Sequence, residues 1–413
     1  MLFRFSLYGF LKNQRYYEPF IILLFLERGF SFTQIGLLVA FREILVNIFE
    51  IPSGALADTY GRRRCMIISF TSYILSFALF GSVRAYASFF AAMFFFAMGE
   101  AFRTGTHKAM IFAWLRHQGL TNEKTRVYGY TRSWSKLGSA FSIIVATIFV
   151  VFTQSYSSVF YLSMVPYVFG LVNFLYYPAE LEGDLLKRVA LRDLCEHLST
   201  TLRTCLKTSR LRLLIVESMA FEGVFNAVKD YLQPIVKVMA LALPLFVYME
   251  DIRRSAIIVG MVYFALHLLS AWASRASHRI THQAGGEERG AFLIWKGAFV
   301  VYLLLTVLLY LKWYSIAIAA FVTLYVVQNL WRPILISRFD EYATETHGAT
   351  VLSVESQAKS ASTILVAPLL GIAVDCVTAQ GFAGEFWPVG AVGAVAAGMI
   401  LAADNLHRKR WQE

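Results

Sequence analysis

An all-α polytopic membrane protein is the fold class this sequence predicts, with twelve transmembrane helices in two pseudo-symmetric six-helix bundles. Composition, run length and the placement of basic residues predict it. The 413 residues are 57% hydrophobic and only 16% charged, with mean hydropathy +0.56. A soluble domain carries about 25% charged residues, so much of this surface faces an apolar medium. Many apolar runs reach the roughly 20 residues that cross a hydrocarbon core of about 30 Å. Barrel strands would alternate polar and apolar residues over about 10 positions and do not fit such runs.

The runs place helices at 5–27, 34–56, 66–82, 86–112, 134–154, 157–177, 212–236, 255–274, 291–311, 314–337, 350–374 and 386–403. The seventh is expected to run longer than 236 or to break at Pro234 and Pro244. The first contains Lys12, Arg15 and Glu18 and has no small-residue cleavage site, so it reads as a retained helix rather than a signal peptide. Basic residues orient the chain. With both termini cytoplasmic, the inner segments hold 22 basic residues, among them Arg62, Arg63 and Arg64, a group from Lys187 to Arg212, and Arg408 to Arg410. The outer segments hold 6: Arg28, Arg84, Lys237, Arg253, Arg254 and Lys312. This positive-inside bias favours that orientation and an even number of helices, and the expected location is a bacterial-type inner membrane. It also accounts for the net charge of +11 without nucleic acid as a partner. Cys65, Cys195, Cys205 and Cys376 have no metal-ligand spacing, and no disulfide, metal or other cofactor is expected.

The charged stretch 178–211 reads as a cytoplasmic linker with an amphipathic helix. It separates an N-terminal bundle, 1–177, from a C-terminal bundle, 212–413. An internal repeat supports this division. Tyr16-Tyr17-Glu18-Pro19 in the first helix matches Tyr231-Leu232-Gln233-Pro234 in the seventh, 215 residues on. Ser53-Gly54 and Ser270-Ala271 recur at an offset of 217 near the ends of the second and eighth. Parallel repeats of this kind are a transporter architecture.

Ionisable residues are costly in hydrocarbon, about 2.5–3.5 kcal/mol each on insertion scales, and they face interiors or wet cavities. Here their distribution is uneven. The first helix has Lys12, Arg15 and Glu18; the second Arg42, Glu43 and Glu50; the fourth Glu100, Arg103 and Lys108; the fifth Lys136. The seventh has Glu217, Glu222, Lys229 and Asp230; the tenth Arg332; the eleventh Glu355 and Lys359. The third, sixth and twelfth have none at depth, and the ninth has only Lys296 near its inner end. Every third helix therefore reads as facing lipid or supporting the rest, and the other eight as surrounding a polar path. Helical spacing puts Lys12, Arg15, Tyr16 and Pro19 on one face, Glu43, Asn47 and Glu50 on another, and Glu222, Asn226, Lys229 and Gln233 on a third. The same spacing allows Glu100 to pair with Arg103 and Glu355 with Lys359.

The loop after the second helix reads Gly54-Ala-Leu-Ala-Asp58-Thr59-Tyr60-Gly61-Arg62-Arg63-Arg64. It resembles motif A of the major facilitator superfamily, with Gly54, Asp58, Gly61, Arg62 and Arg63 at the motif positions. Thr59 departs from the pattern, where the family usually has Arg. The second copy, Ala271 to Arg279, is degenerate, with Arg275 where the aspartate would stand. Arg103-Thr104-Gly105 loosely resembles the family's buried-arginine motif. The resemblance implies the superfamily fold, a central cavity, alternating access and a gating role for motif A. The Gly-Pro-rich motif of drug–proton antiporters and the sugar porters' signature after the sixth helix are both absent.

The functional expectation is a proton-coupled secondary transporter of a small organic solute, acting as a monomer in the lipid bilayer. The candidate substrate contacts are Arg15, Tyr16, Glu43, Asn47, Arg103, Asn226, Lys229, Gln233, Asn329 and Arg332. Glu18, Glu43, Glu100 and Glu222 are the candidate proton carriers, since moving an arginine towards or away from a buried carboxylate changes its affinity for protons. Basic groups slightly outnumber acidic ones in the helices, which leans towards an anionic or zwitterionic solute. An efflux pump for drugs or siderophores, a lipid translocase on the same fold and a non-transporting sensor remain alternatives. The chain lacks His-Glu-x-x-His, Gly-x-Ser-x-Gly and Walker A sequences, which argues against an enzyme or an ATP-driven pump.

Overall fold

The structure, a computed structural model, describes residues 1–104, 106–119, 124–178, 181, 207–340, 348–382 and 384–410. All regular elements among them are helical. Most of the expected linker, 179–180 and 182–206, lies outside the described residues. Among the described residues, eight helices are long and apolar enough to cross a membrane: those of the second, third, fifth, sixth, eighth, ninth, tenth and eleventh spans. The twelfth is a shorter apolar helix, and the first, fourth and seventh spans are interrupted. Together they make twelve transmembrane segments in two pseudo-symmetric bundles of six.

The first span is α1 (Leu2–Lys12), a stretch of turns over 13–20, then α2 (Ile21–Glu27). Pro19 disfavours helical backbone at Glu18, so the expected unbroken helix fails there. The second span, α3 (Phe32–Tyr60), begins at a capping box. Ser31 Oγ accepts from the Gln34 amide at 3.3 Å, and Gln34 Oε1 accepts from the Ser31 amide at 3.0 Å. It ends at Gly61, whose φ of 103° lets the chain reverse into the third span, α4 (Arg62–Ser82). The fourth span is α5 (Tyr86–Arg103) followed by α6 (Thr106–His117), where a single helix was expected. It breaks at Thr104, which takes an extended ψ of 126°. The fifth and sixth are α7 (Lys124–Thr153) and α8 (Ser158–Leu175).

The seventh span departs from α-helical winding twice. It runs as α9 (Ser209–Ser218), a π turn at Met219–Gly223, α10 (Val224–Val228), a 3-10 turn at Lys229–Tyr231 and α11 (Leu232–Ala242). Pro234 sits in the first turn of α11, where its missing N–H costs no hydrogen bond. The remaining spans are α12 (Asp251–Ala284), α13 (Glu287–Tyr310), α14 (Tyr314–Asp340), α15 (Gly348–Ala379) and α16 (Trp387–Arg410). The repeated Tyr-x-x-Pro thus marks irregular backbone in both the first and the seventh span.

Two compact units divide the chain. The first comprises Met1–Arg28, Phe41–His197 and Met249–Phe264; the second comprises Gly29–Ala40, Leu198–Tyr248 and Ala265–Glu413. In the first unit, serines tie the third span to the fourth: Ser69 Oγ donates to the Gly99 carbonyl at 2.6 Å and Ser76 Oγ to the Ala92 carbonyl at 2.9 Å. Such bonds join helices where no hydrophobic drive between them exists. The core is aromatic, with Phe77 5.1 Å from both Tyr17 and Tyr167 and Phe80 5.1 Å from Phe160. In the second unit Phe221 stacks on Trp331 at 5.1 Å, and Trp295 lies edge-on to both. The charge-poor sixth and ninth spans expose large apolar side chains, among them Phe169, Val172, Val300 and Val307, as a lipid-facing surface requires.

Candidate functional site

The first unit holds an open cavity of about 570 Å³. Its lining comes from the broken ends of the first and fourth spans and from the fifth. Phe5, Tyr8, Gly9, Lys12 and Asn13 come from α1 and the turn after it. Arg103 and Thr104 sit at the break of the fourth span, followed by His107 and Ile111 on α6. Thr131, Arg132, Ser135 and Ser139 line it from α7. Gly9 permits this packing, since a methyl there would lie 2.9 Å from the Thr131 carbonyl. Tyr8 stacks on His107 with ring centroids 3.7 Å apart, and Lys12 Nζ lies 5.5 Å from the Tyr8 ring. A polar pocket of this size in an otherwise apolar bundle suits a small ligand.

Behind the lining, Arg103 forms an ion pair with Glu100 on the preceding turn, and the Tyr73 hydroxyl donates to the same carboxylate. Arg103 Nε also reaches the Tyr73 oxygen at 3.4 Å. Arg103 therefore presents a guanidinium anchored from behind. Arg15 lies on the turn after α1 and pairs with Glu18 at 3.9 Å.

In the second unit two carboxylates have different surroundings. Glu355, 1% exposed, accepts a bidentate pair from Arg332 at 2.6 and 3.1 Å and a hydroxyl from Ser218. The pairing within one helix to Lys359 gives way to this one across helices, because the guanidinium fork matches a carboxylate at both oxygens. Glu222, on the π turn and 4% exposed, is held by the Gln328 amide at 3.1 and 3.3 Å. No arginine lies within ion-pair distance of it among the described residues. The carbonyls around the π turn are met by the eleventh span: Ser362 Oγ donates to the Met219 carbonyl at 2.9 Å and Thr363 Oγ1 to the Gly223 carbonyl at 3.1 Å. At the far end of the span, Arg338 bridges Glu217 at 2.6 Å and Glu288 at 3.0 Å.

The family model described as Major Facilitator Superfamily matches residues 13–367. The chain belongs to the major facilitator superfamily. This superfamily member is a multi-pass membrane transporter. It is 20% identical over 369 residues to an uncharacterised MFS-type transporter of Bacillus subtilis (strain 168), YxaM, covering 86% of this chain and 84% of that one. Among solved structures it resembles the nucleoside transporter NupG, with a TM-score of 0.74 and 13% identity, covering 97% of each chain. It also resembles a POT family transporter in complex with a peptide conjugate, with a TM-score of 0.70 and 14% identity, covering 98% of this chain and 96% of that one. A D-xylose–proton symporter follows at 0.64 and 12%, covering 97% and 96%. At such identities the likeness shows the fold.

Of the superfamily member's expected substrate contacts, only Arg103 lines the cavity. Arg15 sits behind on its turn, and Tyr16 is 8% exposed. The face drawn through Lys12, Arg15, Tyr16 and Pro19 does not exist as a helical face, because α1 stops at Lys12. Glu43 pairs with its neighbour Arg42 at 2.7 Å, and Asn47 is half-buried one turn on. In the second unit the π and 3-10 turns break the expected stripe. Gln233 is fully buried, Asn226 half-buried, and Lys229 pairs with Asp230 at 2.9 Å. Asn329 Oδ1 accepts from Ser274 Oγ at 3.3 Å. In motif A, Arg63 donates to the Tyr177 carbonyl at 2.7 Å, capping the end of the sixth span, and Arg62 is half-exposed. The side chain of Asp58 and the surroundings of Gly54 lie outside what the structure describes. Lys12, Tyr8, Asn13, His107 and the α7 hydroxyls were not singled out as contacts. Pro19 signals irregular backbone at Glu18, but the end of α1 at Lys12, seven residues earlier, has no such marker in the sequence.

Proposed function

We propose that this chain is a proton-coupled secondary transporter that moves a small organic solute by alternating access. The observation that carries the reading is the polar cavity of about 570 Å³ at the interrupted first and fourth spans. Discontinuous helices are a common way for transporters to bring backbone and charge to a solute at membrane depth. The solute meets Lys12, Asn13, Arg103 and the α7 hydroxyls. The neighbours of this fold carry nucleoside, peptide and D-xylose in their names, so the fold leaves the solute open.

Glu222 carries the proton. Glu18, Glu43 and Glu100 each have an arginine within 4 Å, so protonation of any of them would break an ion pair. Glu222 is held instead by a neutral amide. It can take up a proton without breaking an ion pair, and Gln328 can turn its amide oxygen to accept the new O–H. The proposed organisation is the N-terminal bundle 1–177, the connector 178–211 and the C-terminal bundle 212–413. The protein acts as a monomer in a bacterial-type inner membrane with both termini cytoplasmic.

The test is a ligand screen by thermal shift, since a ligand of the native state raises apparent stability. Flux of the hits is then measured in proteoliposomes under an imposed pH gradient. Gradient-driven accumulation that is lost in Glu222→Gln, with counterflow exchange retained, supports the assignment. Accumulation that persists in Glu222→Gln rejects Glu222 as the carrier.

A further inference from the structure

We infer that the cavity of the first unit is the seat of an organic anion, a carboxylate or phosphate monoester whose charged group meets Lys12 beside Arg103. This inference rests on the transport reading of that cavity. Three cations contribute to its lining, Lys12, Arg103 and Arg132, and no carboxylate does among the described residues. Arg103 already has Glu100 behind it, but Lys12 has no carboxylate within ion-pair distance among the described residues. Its recorded neighbour is the face of Tyr8. A cation drawn into a membrane bundle without a counter-ion is unfavourable, and an anion entering the cavity supplies one.

The rest of the lining fits the same guest. Thr131, Ser135, Ser139 and Asn13 offer neutral hydrogen bonds that complete the coordination of carboxylate or phosphate oxygens. Phe5 and the Tyr8–His107 stack supply an apolar wall next to Lys12, which suits a planar carbon skeleton attached to the charged group. A cationic solute would face three like charges, and a neutral one would leave Lys12 uncompensated.

Thermal stability of the purified full-length protein tests this with four matched probes: benzoate, phenyl phosphate, benzamide and benzylammonium. At least one of the two anions is expected to raise the unfolding midpoint in a saturable way, while benzamide and benzylammonium do not. Lys12→Gln is expected to raise the half-saturating anion concentration about tenfold or more, and Lys12→Arg to restore most of it, the loss being that of a charge-assisted contact. Wild-type-like unfolding of ligand-free Lys12→Gln shows that it is folded. Should it fail to fold, Lys12→Arg alone decides, by keeping or losing the anion shift. Equal stabilisation by benzamide, no shift with either anion, or an unchanged shift in Lys12→Gln overturns the inference. Inorganic phosphate acting as well as phenyl phosphate overturns the organic part. Nanodiscs of zwitterionic lipid and of anionic lipid separate the sources of the charge. Anion binding lost only in anionic lipid assigns the seat to a lipid headgroup, and binding kept in both assigns it to a soluble anion. Flux in proteoliposomes is a separate readout. Anion binding without any flux defeats the transport reading and leaves the anion site standing. Flux of a neutral solute that benzoate and phenyl phosphate do not inhibit defeats the anion site alone.

Discussion

At Glu355 an arginine fork and a serine hydroxyl converge on a carboxylate that is 1% exposed. Removing one member of a buried pair leaves the other uncompensated, at about 3–5 kcal/mol. Glu355→Gln should therefore lower the thermal unfolding midpoint strongly. The double variant Glu355→Leu with Arg332→Met should recover most of the loss, and a cycle of thermal unfolding measurements reads the difference. The residue scale was only partly legible. The charges themselves were plain in the sequence, and so was the Glu100–Arg103 pairing, because it is local. The Arg332–Glu355 pairing was not, since it joins different helices 23 residues apart. Lys12 was read on one face with Arg15 and Tyr16 because helical periodicity was carried past the end of α1.

At the scale of elements, irregular backbone is where hydrogen bonds from other helices arrive. The π turn at Met219–Gly223 relies on Ser362 and Thr363. Replacing both, as Ser362→Ala with Thr363→Val, should cost about 1–2 kcal/mol in thermal unfolding, the range of such bonds in membrane bundles. A second element is held from far along the chain. Asp375 on α15 accepts from the Phe32 amide at 3.0 Å and the Thr33 amide at 2.8 Å, neutralising the first N–H groups of α3. The two helices cross closely there, since a methyl on Gly36 would lie 2.5 Å from the Ala367 carbonyl oxygen. Asp375→Asn should cost about 0.5–1.5 kcal/mol by loss of the charge-assisted cap. Gly36→Val should destabilise more, because two backbones must separate. Denaturation of the two variants side by side ranks them. The Ser31–Gln34 box could be read from the sequence; its reinforcement by Asp375 could not.

At the scale of the whole molecule, twelve spans and the excess of basic residues on one side predict the topology. In a background with Cys65, Cys195, Cys205 and Cys376 replaced by serine, a cysteine introduced at Ala85 should react with an impermeant maleimide added outside intact cells, and one at Arg279 only after permeabilisation. The reverse pattern would overturn the orientation. Hydropathy and the positive-inside bias are sums over long stretches, so single misread residues do not disturb them. That is why the sequence by itself determined the class, the number of spans and the family through Gly54 to Arg64. Helix interruption depends on what fills the gap. A broken turn at membrane depth survives only where a neighbouring helix or a wet cavity meets its freed polar groups. Such partners, Ser362 for the Met219 carbonyl and Thr363 for the Gly223 carbonyl, come together only in the folded chain. The tertiary structure therefore decided that the fourth span breaks at Thr104 and that the seventh winds through a π turn, and it alone showed which charges, Lys12 and Arg103, face a cavity.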